Sequence, residues 1–462
     1  MSGVEFDSDL IRRYDGPGPR YTSYPTAVQF TEEFGEPDYR ELARSSNDDS
    51  GVRPLSLYAH IPFCHTLCYY CGCHKVVTRT AGVAEQYLEY MLREAALHAE
   101  LFDSSRPVVQ LHLGGGTPTY LTHDEMTGLI EGLAEHYTLA RDQAHEYSIE
   151  IDPRTTDSET LPLLSRLGFN RLSMGIQDFD PEVQRAVNRI QSREHTLDLI
   201  RQAPEVGFES VSVDLIYGLP HQTRDRFLKT LEEVVSARPD RIAAYNYAHL
   251  PGMFRAQRLI REEDLPSAEQ KLELLGTTVQ FLTDQGYEYI GMDHFALPED
   301  ELVTARDQGT LQRNFQGYST YADCDLIGLG ISAIGKLDTC YSQNLKLRKD
   351  YFETLDDGRL PVFRGVTLDD EDVLRRQVIQ DVMCQDTIDM DELGGRFGIE
   401  FQTHFSAALE HLKSLEEDGL VELDDRHVRV TARGRFLLRP IAMAFDAYLP
   451  ADRKPGRFSK VI

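Results

Sequence analysis

The chain has 462 residues, of which 41% are hydrophobic and 27% charged, a composition typical of a folded globular protein. Its formal net charge of −28 repels polyanions, so we predict that nucleic acid is not a partner. No run approaches the ~18 apolar residues of a membrane-spanning helix, and the first residues lack an apolar leader. We therefore predict a cytoplasmic protein with no membrane partner.

Residues 1–50 are predicted to form an N-terminal arm. The glycines and prolines between Gly16 and Pro25 exclude a long helix there. The arm nevertheless carries more aromatic residues than a disordered segment usually does: Tyr14, Tyr21, Tyr24, Phe30 and Phe34. We therefore expect the arm to pack against the rest of the protein.

From about residue 54 to residue 250, segments with strand periodicity alternate with segments of helical periodicity. The predicted strands cover residues 55–63, 108–113, 147–151, 171–177, 210–218 and 241–250. The predicted helices cover residues 84–102, 124–137, 158–168, 181–188, 194–207 and 223–237. Strict alternation predicts a parallel α/β sheet, and six repeats are fewer than a complete eight-fold barrel of ~250 residues contains. We therefore predict an α/β fold built on an incomplete (β/α)6-type barrel.

The sequence pattern changes after about Leu360. Before it, residues 265–285 are predicted to be helical and residues 287–297 to form a strand with a loop. After it, the pattern predicts helices at 368–384, 389–398 and 404–419, a hairpin at 420–434 and a terminal helix. This order is typical of winged-helix modules, but the acidic composition favours a structural or lid role over DNA binding. The predicted domains are the N-terminal arm (1–50), a catalytic domain (51–360) and a mostly α-helical, winged-helix-like C-terminal domain (361–462).

Four of the seven cysteines lie within ten residues, at Cys64, Cys68, Cys71 and Cys73. An odd cysteine count under reducing conditions argues against a disulfide framework, and a structural zinc site normally needs a second, separated cysteine pair. An iron–sulfur cluster fits better than zinc or a redox pair, because three thiolates can bind three irons and leave the fourth open. The scattered cysteines are predicted to be buried small residues: Cys324, Cys340 and Cys384.

The cysteine loop resembles the signature of the radical S-adenosylmethionine (SAM) superfamily, which has the spacing C-x3-C-x2-C and an aromatic residue, here Tyr70, before the last cysteine. The resemblance implies that Cys64, Cys68 and Cys71 bind a [4Fe–4S] cluster whose open iron is chelated by SAM. It also implies that one electron from the cluster cleaves SAM to methionine and a 5′-deoxyadenosyl radical.

A glycine-rich segment, HLGGGTPT, follows the second predicted strand. Its glycines at 114–116 let a ligand approach the backbone, and free N–H and C=O groups there can bind a zwitterionic amino acid. A tight turn without a ligand is the alternative interpretation. Beside the cysteine loop, the segment resembles the motif that binds the amino group of SAM in this superfamily.

Further motifs resemble one family within the superfamily, the oxygen-independent coproporphyrinogen III oxidases, also called coproporphyrinogen dehydrogenases. The resemblance covers nearly the whole chain and rests on the fourth cysteine, Cys73, and on the segments HIPFC, PRYTSYPTAVQF, GFNRLSMGIQDF, DLIYGLP, YIGMDHFA and NFQGY. It implies an oxidoreductase of anaerobic heme biosynthesis that decarboxylates two propionates of coproporphyrinogen III to vinyl groups, giving protoporphyrinogen IX. The alternatives are a heme-binding or heme-trafficking relative without dehydrogenase activity, a nucleic-acid-modifying radical enzyme, and a zinc scaffold protein.

The family resemblance implies two SAM molecules. The first would lie on the cluster and contact Tyr58, Gly115, Glu150 and Ile334. The second would contact Tyr70, Gly116, Thr117, Gln177, Arg189, Asp214 and Ala248. We expect Gln177, Asp214 and Ala248 to face the same mouth, because each falls at or just past a predicted strand end. The alternative interpretations are a solvated strand-end acid at Glu150 and a surface arginine at Arg189.

The predicted catalytic residues are Tyr58, His60, Cys73 and Glu150. We place Cys73 near the substrate or the second SAM, because it lies too close to Cys71 to be an easy fourth ligand. His60, in the transition from strand to loop, is a candidate for tuning the cluster, although a lone histidine there is more often simply packed. Candidates for contact with the substrate propionates or pyrroles are Asp293, His294 and Arg313, and Arg20 of the arm is a candidate for covering or sensing the substrate.

The resemblance also implies partners. These are coproporphyrinogen III as substrate, an electron donor such as a flavodoxin or ferredoxin, and an electron acceptor that the sequence does not identify. A tetracarboxylate substrate on a chain with a net charge of −28 requires arginines close to the substrate. We expect the protein to be a monomer.

Overall fold

The computed structural model describes residues 3–48, 53–141, 145–321 and 324–449. Its strands are, in chain order, β1 (Leu55–Ile61), β2 (Phe63–Cys64), β3 (Val76–Val77), β4 (Pro107–Gly115), β5 (Thr138–Leu139), β6 (Glu146–Ile151), β7 (Arg171–Gln177), β8 (Ser210–Tyr217), β9 (Arg241–Asn246), β10 (Glu288–Gly291), β11 (His294–Ala296), β12 (Gln312–Asn314), β13 (Gly317–Ser319), β14 (Asp325–Leu329), β15 (Ile334–Leu337), β16 (Cys340–Asn344), β17 (Val362–Thr367), β18 (Thr387–Asp389), β19 (Val421–Leu423) and β20 (His427–Val430). Its α-helices are α1 (Ser8–Tyr14), α2 (Glu36–Ser45), α3 (Val83–Ala99), α4 (His123–His136), α5 (Thr160–Arg166), α6 (Pro181–Ala186), α7 (Arg193–Glu205), α8 (Arg224–Ser236), α9 (Ala268–Asp284), α10 (Glu301–Asp307), α11 (Arg348–Asp356), α12 (Asp370–Gln385), α13 (Met390–Phe397), α14 (Phe401–His404), α15 (Ser406–Glu417) and α16 (Leu438–Ala442). Over these ranges, every helix is too short or too polar to cross a lipid bilayer.

Six parallel strands form the centre of the main sheet. Within the described residues they lie side by side in the order β1, β4, β6, β7, β8 and β9, and every neighbouring pair is parallel. The connections between them contain α3, α4, α5, the pair α6 and α7, and α8. Parallel neighbours that follow one another in the chain and are joined by helices are the geometry of a β/α barrel.

Over the described residues the sheet does not close into a full barrel, and its strand order ends at β10 on one side and β17 on the other. Beside β9 the chain adds the antiparallel hairpin β10–β11, which turns at Gly291 and Met292, two residues with positive φ. Beside β1 lies the parallel strand β14, which is followed by the antiparallel strands β15, β16 and β17. The predicted incomplete (β/α)6-type barrel is therefore confirmed, and the strand predicted at 287–297 is a hairpin of two short strands.

Local chemistry sets where the elements begin and end. β1 ends at Ile61, two residues before the predicted end, because Pro62 has no N–H to donate to a neighbouring strand. α4, after the glycine segment, begins with a capping box: the Glu125 N–H donates to the Thr122 hydroxyl, and the Thr122 N–H donates to the Glu125 carboxylate. β9 ends at Asn246 instead of residue 250.

The apolar side chains form a large barrel core and a second core around the C-terminal helices. The barrel core includes Leu57 and Ala59 of β1, whose residues are almost all buried, as in a parallel strand with both faces covered. The second core includes Val378 of α12, Leu412 of α15 and Phe445. The scattered cysteines are buried, as predicted: Cys324, Cys340 and Cys384.

The N-terminal arm packs on both cores, as predicted. Tyr21 belongs to the C-terminal core and Phe34 to the barrel core. The Tyr21 hydroxyl donates to Asp446 Oδ2 at 2.9 Å, and the Nε of buried Arg439 donates to the Pro19 carbonyl at 2.9 Å. The arm therefore ties the start of the chain to its C-terminal part.

The C-terminal part consists of α12 to α16 and a small antiparallel sheet in the order β18, β20, β19. The predicted hairpin is β19–β20. The sequence pattern does not predict β18, because three residues are too few to show strand alternation. Helices with one small antiparallel sheet agree with the winged-helix-like prediction. The domain boundaries at residues 50 and 360 remain predictions.

Candidate active site

A cavity of about 250 Å³ opens at the carboxyl ends of the parallel strands. The predicted site residues that line it are Cys64, Cys68, Tyr70, Cys71, Cys73, Gly115, Gly116, Thr117, Glu150, Gln177, Arg189 and Asp214. The predicted residues that do not line it are Tyr58, His60, Ala248 and Ile334. The cysteine loop, the glycine segment, the ends of β6 and β7, and Asp214 of β8 therefore meet at one place, as expected of a parallel sheet.

Two cysteines of the loop accept hydrogen bonds from outside it. Cys64 lies in β2, and its Sγ accepts from the Thr117 hydroxyl at 3.5 Å. Cys68 Sγ accepts from Arg154 Nη2 at 3.5 Å and from Arg189 Nη1 at 3.7 Å. Two guanidinium groups beside one sulfur place positive charge where a metal-bound thiolate would carry negative charge.

The third cysteine is also biased towards ionisation. A hydrogen bond from the Cys73 thiol, with a smaller contribution from the Lys75 ammonium, lowers the pKa of Cys71 to about 6 against the opposing effect of burial. Lys75 Nζ also donates to the Cys71 carbonyl at 3.0 Å, which holds the ammonium over the loop. Cys73 itself is exposed.

The chemistry of this cavity fits an iron–sulfur cluster. The three predicted ligand cysteines and Cys73 line it, and the cations Lys75, Arg154 and Arg189 line the same cavity and would offset thiolate charge. The Nε of Arg189 is buried without a hydrogen-bond partner, so the cavity holds an unused donor. Within the ranges described above, no three His, Cys, Asp or Glu side chains already stand together as a metal site. The three cysteines therefore remain predicted ligands.

The glycine segment approaches its neighbours too closely for side chains. A Cβ on Gly116 would lie 2.6 Å from the backbone of Pro62, and Gly115 has φ +115°. The expectation of free N–H groups here is wrong for two of them. The Gly115 N–H donates to Glu150 Oε2 at 3.2 Å, and the Gly116 N–H donates to the Ile61 carbonyl at 2.8 Å. These glycines therefore serve close packing of the segment against β1 and β6.

Glu150 occupies the end of β6 at the centre of the cavity. Burial raises its pKa, but hydrogen bonds with His112 and the Gly115 N–H outweigh burial, and the net pKa shift is downward. The His112 Nε2 to Glu150 Oε1 distance is 3.4 Å. Glu150 is therefore an ionised acceptor facing the cavity at neutral pH.

Asp152 and Arg154, just past the end of β6, are site residues that the sequence analysis missed. Asp152 Oδ2 lies 2.6 Å from Arg154 Nη2 and 3.3 Å from Arg189 Nη1. Burial raises the pKa of Asp152, but the two arginines outweigh burial, and the net pKa shift is downward. Arg189 is 7% exposed, so the alternative of a surface arginine is wrong. The position of Glu150 could have indicated Asp152 and Arg154, because residues that directly follow a strand lie at the same edge of the sheet as its last residues.

Asp214 lines the cavity from an unexpected position. It lies within β8, three residues before the strand ends at Tyr217, so its prediction as a strand-end residue is wrong. Burial first, and then the charge of Glu150, raise the pKa of Asp214 to about 7, while Arg189 partly opposes the rise. Gln177 is the last residue of β7 and lines the cavity as predicted.

Ala248 is exposed and lies outside the cavity, two residues beyond the end of β9. It stays near the predicted second SAM site through Gln257, whose side chain donates to the Tyr70 carbonyl at 3.0 Å and to the Ala248 carbonyl at 3.2 Å. The prediction that Gln177, Asp214 and Ala248 face the same cavity is therefore correct only for Gln177 and Asp214.

Tyr58 and His60 face a polar cluster beside the cavity. His60 lies within β1, not at its transition to the loop as predicted. The Tyr58 hydroxyl is 3.0 Å from His60 Nδ1, and His60 Nε2 donates to the His74 carbonyl at 3.0 Å. Burial lowers the pKa of His60 to about 4, so the ring is neutral and packed. Ile334 lies near Tyr58, because both residues are next to Gly328. Gly328 pairs with Tyr58 across the sheet, and a Cβ added to Gly328 would contact the Ile334 backbone.

A second cavity of about 150 Å³ continues into the barrel interior, and Glu150, Ser173 and Asp214 line both cavities. His294 lines the inner cavity, and burial lowers its pKa to about 3. Its neighbour Asp293 pairs with Arg20 of the arm at 3.2 Å. Of the residues predicted to contact substrate, His294 therefore borders the interior of the barrel and Asp293 contacts the arm, whereas Arg313 does not line the inner cavity.

Comparison with known proteins agrees with this architecture. Residues 58–234 match the Radical SAM superfamily, and residues 368–437 match the HemN C-terminal domain. The chain is 48% identical to the oxygen-independent coproporphyrinogen III oxidase of Pseudomonas aeruginosa over 100% of both chains. It is 47% identical to the protein of the same name from Escherichia coli over 99% of both chains. The solved structure of coproporphyrinogen III oxidase (HemN) from Escherichia coli, a radical SAM enzyme, has a TM-score of 0.92 and covers 97% of this chain and 100% of that chain, at 47% identity.

Proposed function

The chain belongs to the oxygen-independent coproporphyrinogen III oxidase family of the radical SAM superfamily, and we propose that its carboxyl-end cavity is where this oxidoreductase acts. The reaction converts two propionate side chains of coproporphyrinogen III to vinyl groups and gives protoporphyrinogen IX. Each propionate loses CO₂, one hydrogen atom to the 5′-deoxyadenosyl radical, and one electron to an acceptor. The observation that carries the proposal is the convergence of Cys64, Cys68 and Cys71 with Glu150 and Arg189 on one cavity.

Membership in the radical SAM superfamily implies a [4Fe–4S] cluster and SAM. Cys64, Cys68 and Cys71 would hold the cluster. When bound, the cluster and SAM supply the radical that removes a hydrogen atom from the propionate. The chain's own cations lie beside two of these cysteines: Arg154 and Arg189 donate to Cys68 Sγ, and Lys75 donates to the Cys71 carbonyl.

We assign two SAM molecules to the site as part of the same proposal. Glu150 would accept from the first SAM, because it is ionised and borders both cavities. Arg189 would bind the carboxylate of the second SAM, because its Nε is an unused buried donor. Asp214, with a pKa of about 7, can hold a proton and donate it to a carboxylate oxygen. The remaining contacts are those implied by the resemblance: Tyr58, Gly115 and Ile334 for the first SAM, and Tyr70, Gly116, Thr117, Gln177 and Ala248 for the second.

The proposal also includes an external electron donor such as a flavodoxin or ferredoxin, an electron acceptor, and a monomeric enzyme in the cytoplasm. An acidic monomer of 52.6 kDa would elute at that mass from a sizing column. A dimer mass would contradict the monomer.

The test is an anaerobic assay of the iron-reconstituted protein with dithionite, SAM and coproporphyrinogen III. We expect 5′-deoxyadenosine and protoporphyrinogen IX to form together, and Cys71→Ser to abolish both. Cys384→Ala, which changes a cysteine buried in the C-terminal core, is the matched control and should keep both products. SAM cleavage without porphyrinogen conversion would reject the substrate and keep the cluster chemistry.

The second candidate is a heme-binding relative without dehydrogenase activity. Curated relatives that match the whole chain carry the oxidase name, which favours the enzyme. Tight heme binding together with no SAM cleavage in the same assay would reverse this conclusion.

A further inference from the structure

A third cavity, of about 140 Å³, lies at the opposite end of the parallel strands from the cysteine loop. It is lined by Ser56 near the start of β1, Asp325 at the start of β14, and Gln380 of α12. Five residue steps of β1 separate Ser56 from Ile61, which corresponds to about 16 Å. The cavity therefore lies between the barrel and the C-terminal helices, remote from the predicted cluster.

Among the charged side chains that line this cavity, the cations outnumber the carboxylates. They come from five separate parts of the chain: Arg53, Arg313, Lys336, Arg376 and Arg396. The carboxylates among its described lining residues are Asp325 and Asp338. In a protein with a net charge of −28, such a group of cations forms a locally positive site.

The two carboxylates already have partners. Asp325 pairs with Arg106 at 2.5 Å, and both side chains are almost fully buried. Asp338 pairs with Arg53 at 3.0 Å and with Arg376 at 3.5 Å. The positive charge of the remaining three cations is therefore not balanced by the carboxylates of the wall.

Arg313 has unused hydrogen-bond donors. The residue is 6% exposed, and its Nε and Nη1 are buried without a hydrogen-bond partner. The Gln380 side chain accepts from the Arg313 N–H at 3.2 Å and donates to the Arg313 carbonyl at 2.8 Å. The Arg313 guanidinium lies 4.8 Å from the centre of the Tyr318 ring. A buried guanidinium with unmade hydrogen bonds is costly unless a ligand supplies acceptors.

Lys336 is the second unbalanced cation. Burial and the nearby charge of Arg376 lower its pKa to about 8. An anion placed between Lys336 and Arg313 would relieve both charges. Arg396, at the exposed rim, donates to Gln377 at 3.3 Å and adds a third positive charge.

We propose that this basic cavity is an oxyanion-binding site, with Arg313 and Lys336 as anchors and Arg396 at its rim. A carboxylate or phosphate group offers the paired acceptors that a guanidinium recognises. Two sources supply this chemistry: carboxylates of the tetracarboxylic substrate that are remote from the reacting propionate, and a free small oxyanion. The first source rests on the proposed function.

The cavity borders the barrel interior, which favours the substrate as the source. Gln110 lines both this cavity and the inner cavity. The hairpin β12–β13 contributes Arg313 to the basic cavity and Gln316, three residues later, to the inner cavity. A ligand in the barrel therefore meets the same hairpin that carries the buried guanidinium.

The first part of the test measures binding of citrate and of inorganic phosphate to the full-length protein by calorimetry. We expect Lys336→Met to weaken binding about 10-fold or more, because it removes a charge-assisted contact. Arg396→Gln changes an exposed side chain and should weaken binding without disturbing the core. Lys349→Met, at a lysine that is 81% exposed on α11, is the matched control and should bind as the wild type does.

The second part measures the KM for coproporphyrinogen III with the same variants. A KM raised about 10-fold by Lys336→Met at unchanged kcat, with citrate competing against substrate, identifies substrate carboxylates as the ligand. Weaker probe binding at unchanged KM identifies a free oxyanion. Absence of probe binding to the wild type together with an unchanged KM overturns the proposal. The binding measurement does not need turnover, so it still tests the oxyanion site if the proposed function is wrong.

Discussion

Single side chains around the cysteine loop contact its sulfurs, and they lower the pKa of one of them, Cys71. Cys68 accepts hydrogen bonds from two arginines, and Cys71 has a pKa lowered to about 6 by Cys73 and Lys75. Both arginines are held by Asp152, which balances part of their charge. The surroundings of the loop therefore include residues just past the end of β6 and in the segment after α6.

We predict that Arg154→Gln weakens retention of the cluster. The change removes a charged donor 3.5 Å from Cys68 Sγ, and a hydrogen bond of this kind is worth about 1.5–3 kcal/mol. The rate of iron loss to a chelator should rise about 10-fold. Arg201→Gln, at a side chain that is 51% exposed, should lose iron at the wild-type rate. Equal rates for both variants would contradict the role of Arg154.

We predict that Asp214→Asn stabilises the ligand-free protein at high pH. The carboxyl has its pKa raised from 3.8 to about 7, so between these values the native state holds a proton that the unfolded state has released. Stability from this group is therefore present at low pH and falls as pH rises through about 7, by roughly 2–4 kcal/mol.

The measurement is urea unfolding of both proteins at about pH 5 and about pH 8. The wild type should lose more free energy of unfolding between the two pH values than Asp214→Asn does. Asp225→Asn, at a side chain that is 87% exposed, should keep the wild-type pH dependence. The same slope in the wild type and in Asp214→Asn would show that Asp214 does not titrate in this range.

At the scale of elements, the ends of strands and the N-terminal arm position the site. The end of β6 supplies Glu150 and, just past it, Asp152 and Arg154 to one cavity. The arm holds Arg20 against Asp293 and is itself fixed by Arg439. The arm is therefore held in place by contacts with distant parts of the chain.

We predict that Arg439→Met loosens the arm. The buried Arg439 side chain donates to the carbonyls of Gly18 and Pro19, and its loss leaves both acceptors unsatisfied. The free energy of unfolding should fall by roughly 2–4 kcal/mol, and proteolysis of the arm should become faster. Arg426→Met, at a side chain that is 65% exposed, should leave both measurements unchanged. An intact arm in Arg439→Met would contradict this anchoring.

At the scale of the whole molecule, two hydrophobic cores share one N-terminal arm. Ile11 and Phe34 pack in the barrel core, while Leu10, Tyr21 and Tyr24 pack in the C-terminal core. Charge is also divided unevenly, because a chain with a net charge of −28 concentrates cations in the basic cavity between the two parts. The junction of the two parts therefore carries both apolar and ionic contacts.

We predict that the ligand-free protein unfolds in a single calorimetric transition because the arm couples its two cores. Removing both ring contacts, with Tyr21→Ala and Tyr24→Ala together, should split this transition, with the C-terminal core melting first. A single unsplit transition in the double variant would show that the barrel and the C-terminal part are coupled by other contacts.

The sequence alone determined the fold class, the superfamily and the family of this protein. Strand–helix alternation between residues 54 and 250 predicts the incomplete barrel, and the spacing of Cys64, Cys68 and Cys71 predicts an iron–sulfur loop. These features are local: periodicity and spacing are set by residues that are close together in the chain.

Only the tertiary structure decided which residues share each cavity. It brought Asp152 and Arg154 to the cysteine loop, and it placed Asp214 within a strand where burial raises its pKa. It gave N–H groups of the glycine segment hydrogen-bond acceptors within the protein. It also brought together, around the basic cavity, cations that are far apart in the chain, from Arg53 to Arg396. The physical reason is that burial, hydrogen-bond partners and local charge depend on contacts between distant segments, which no local pattern encodes.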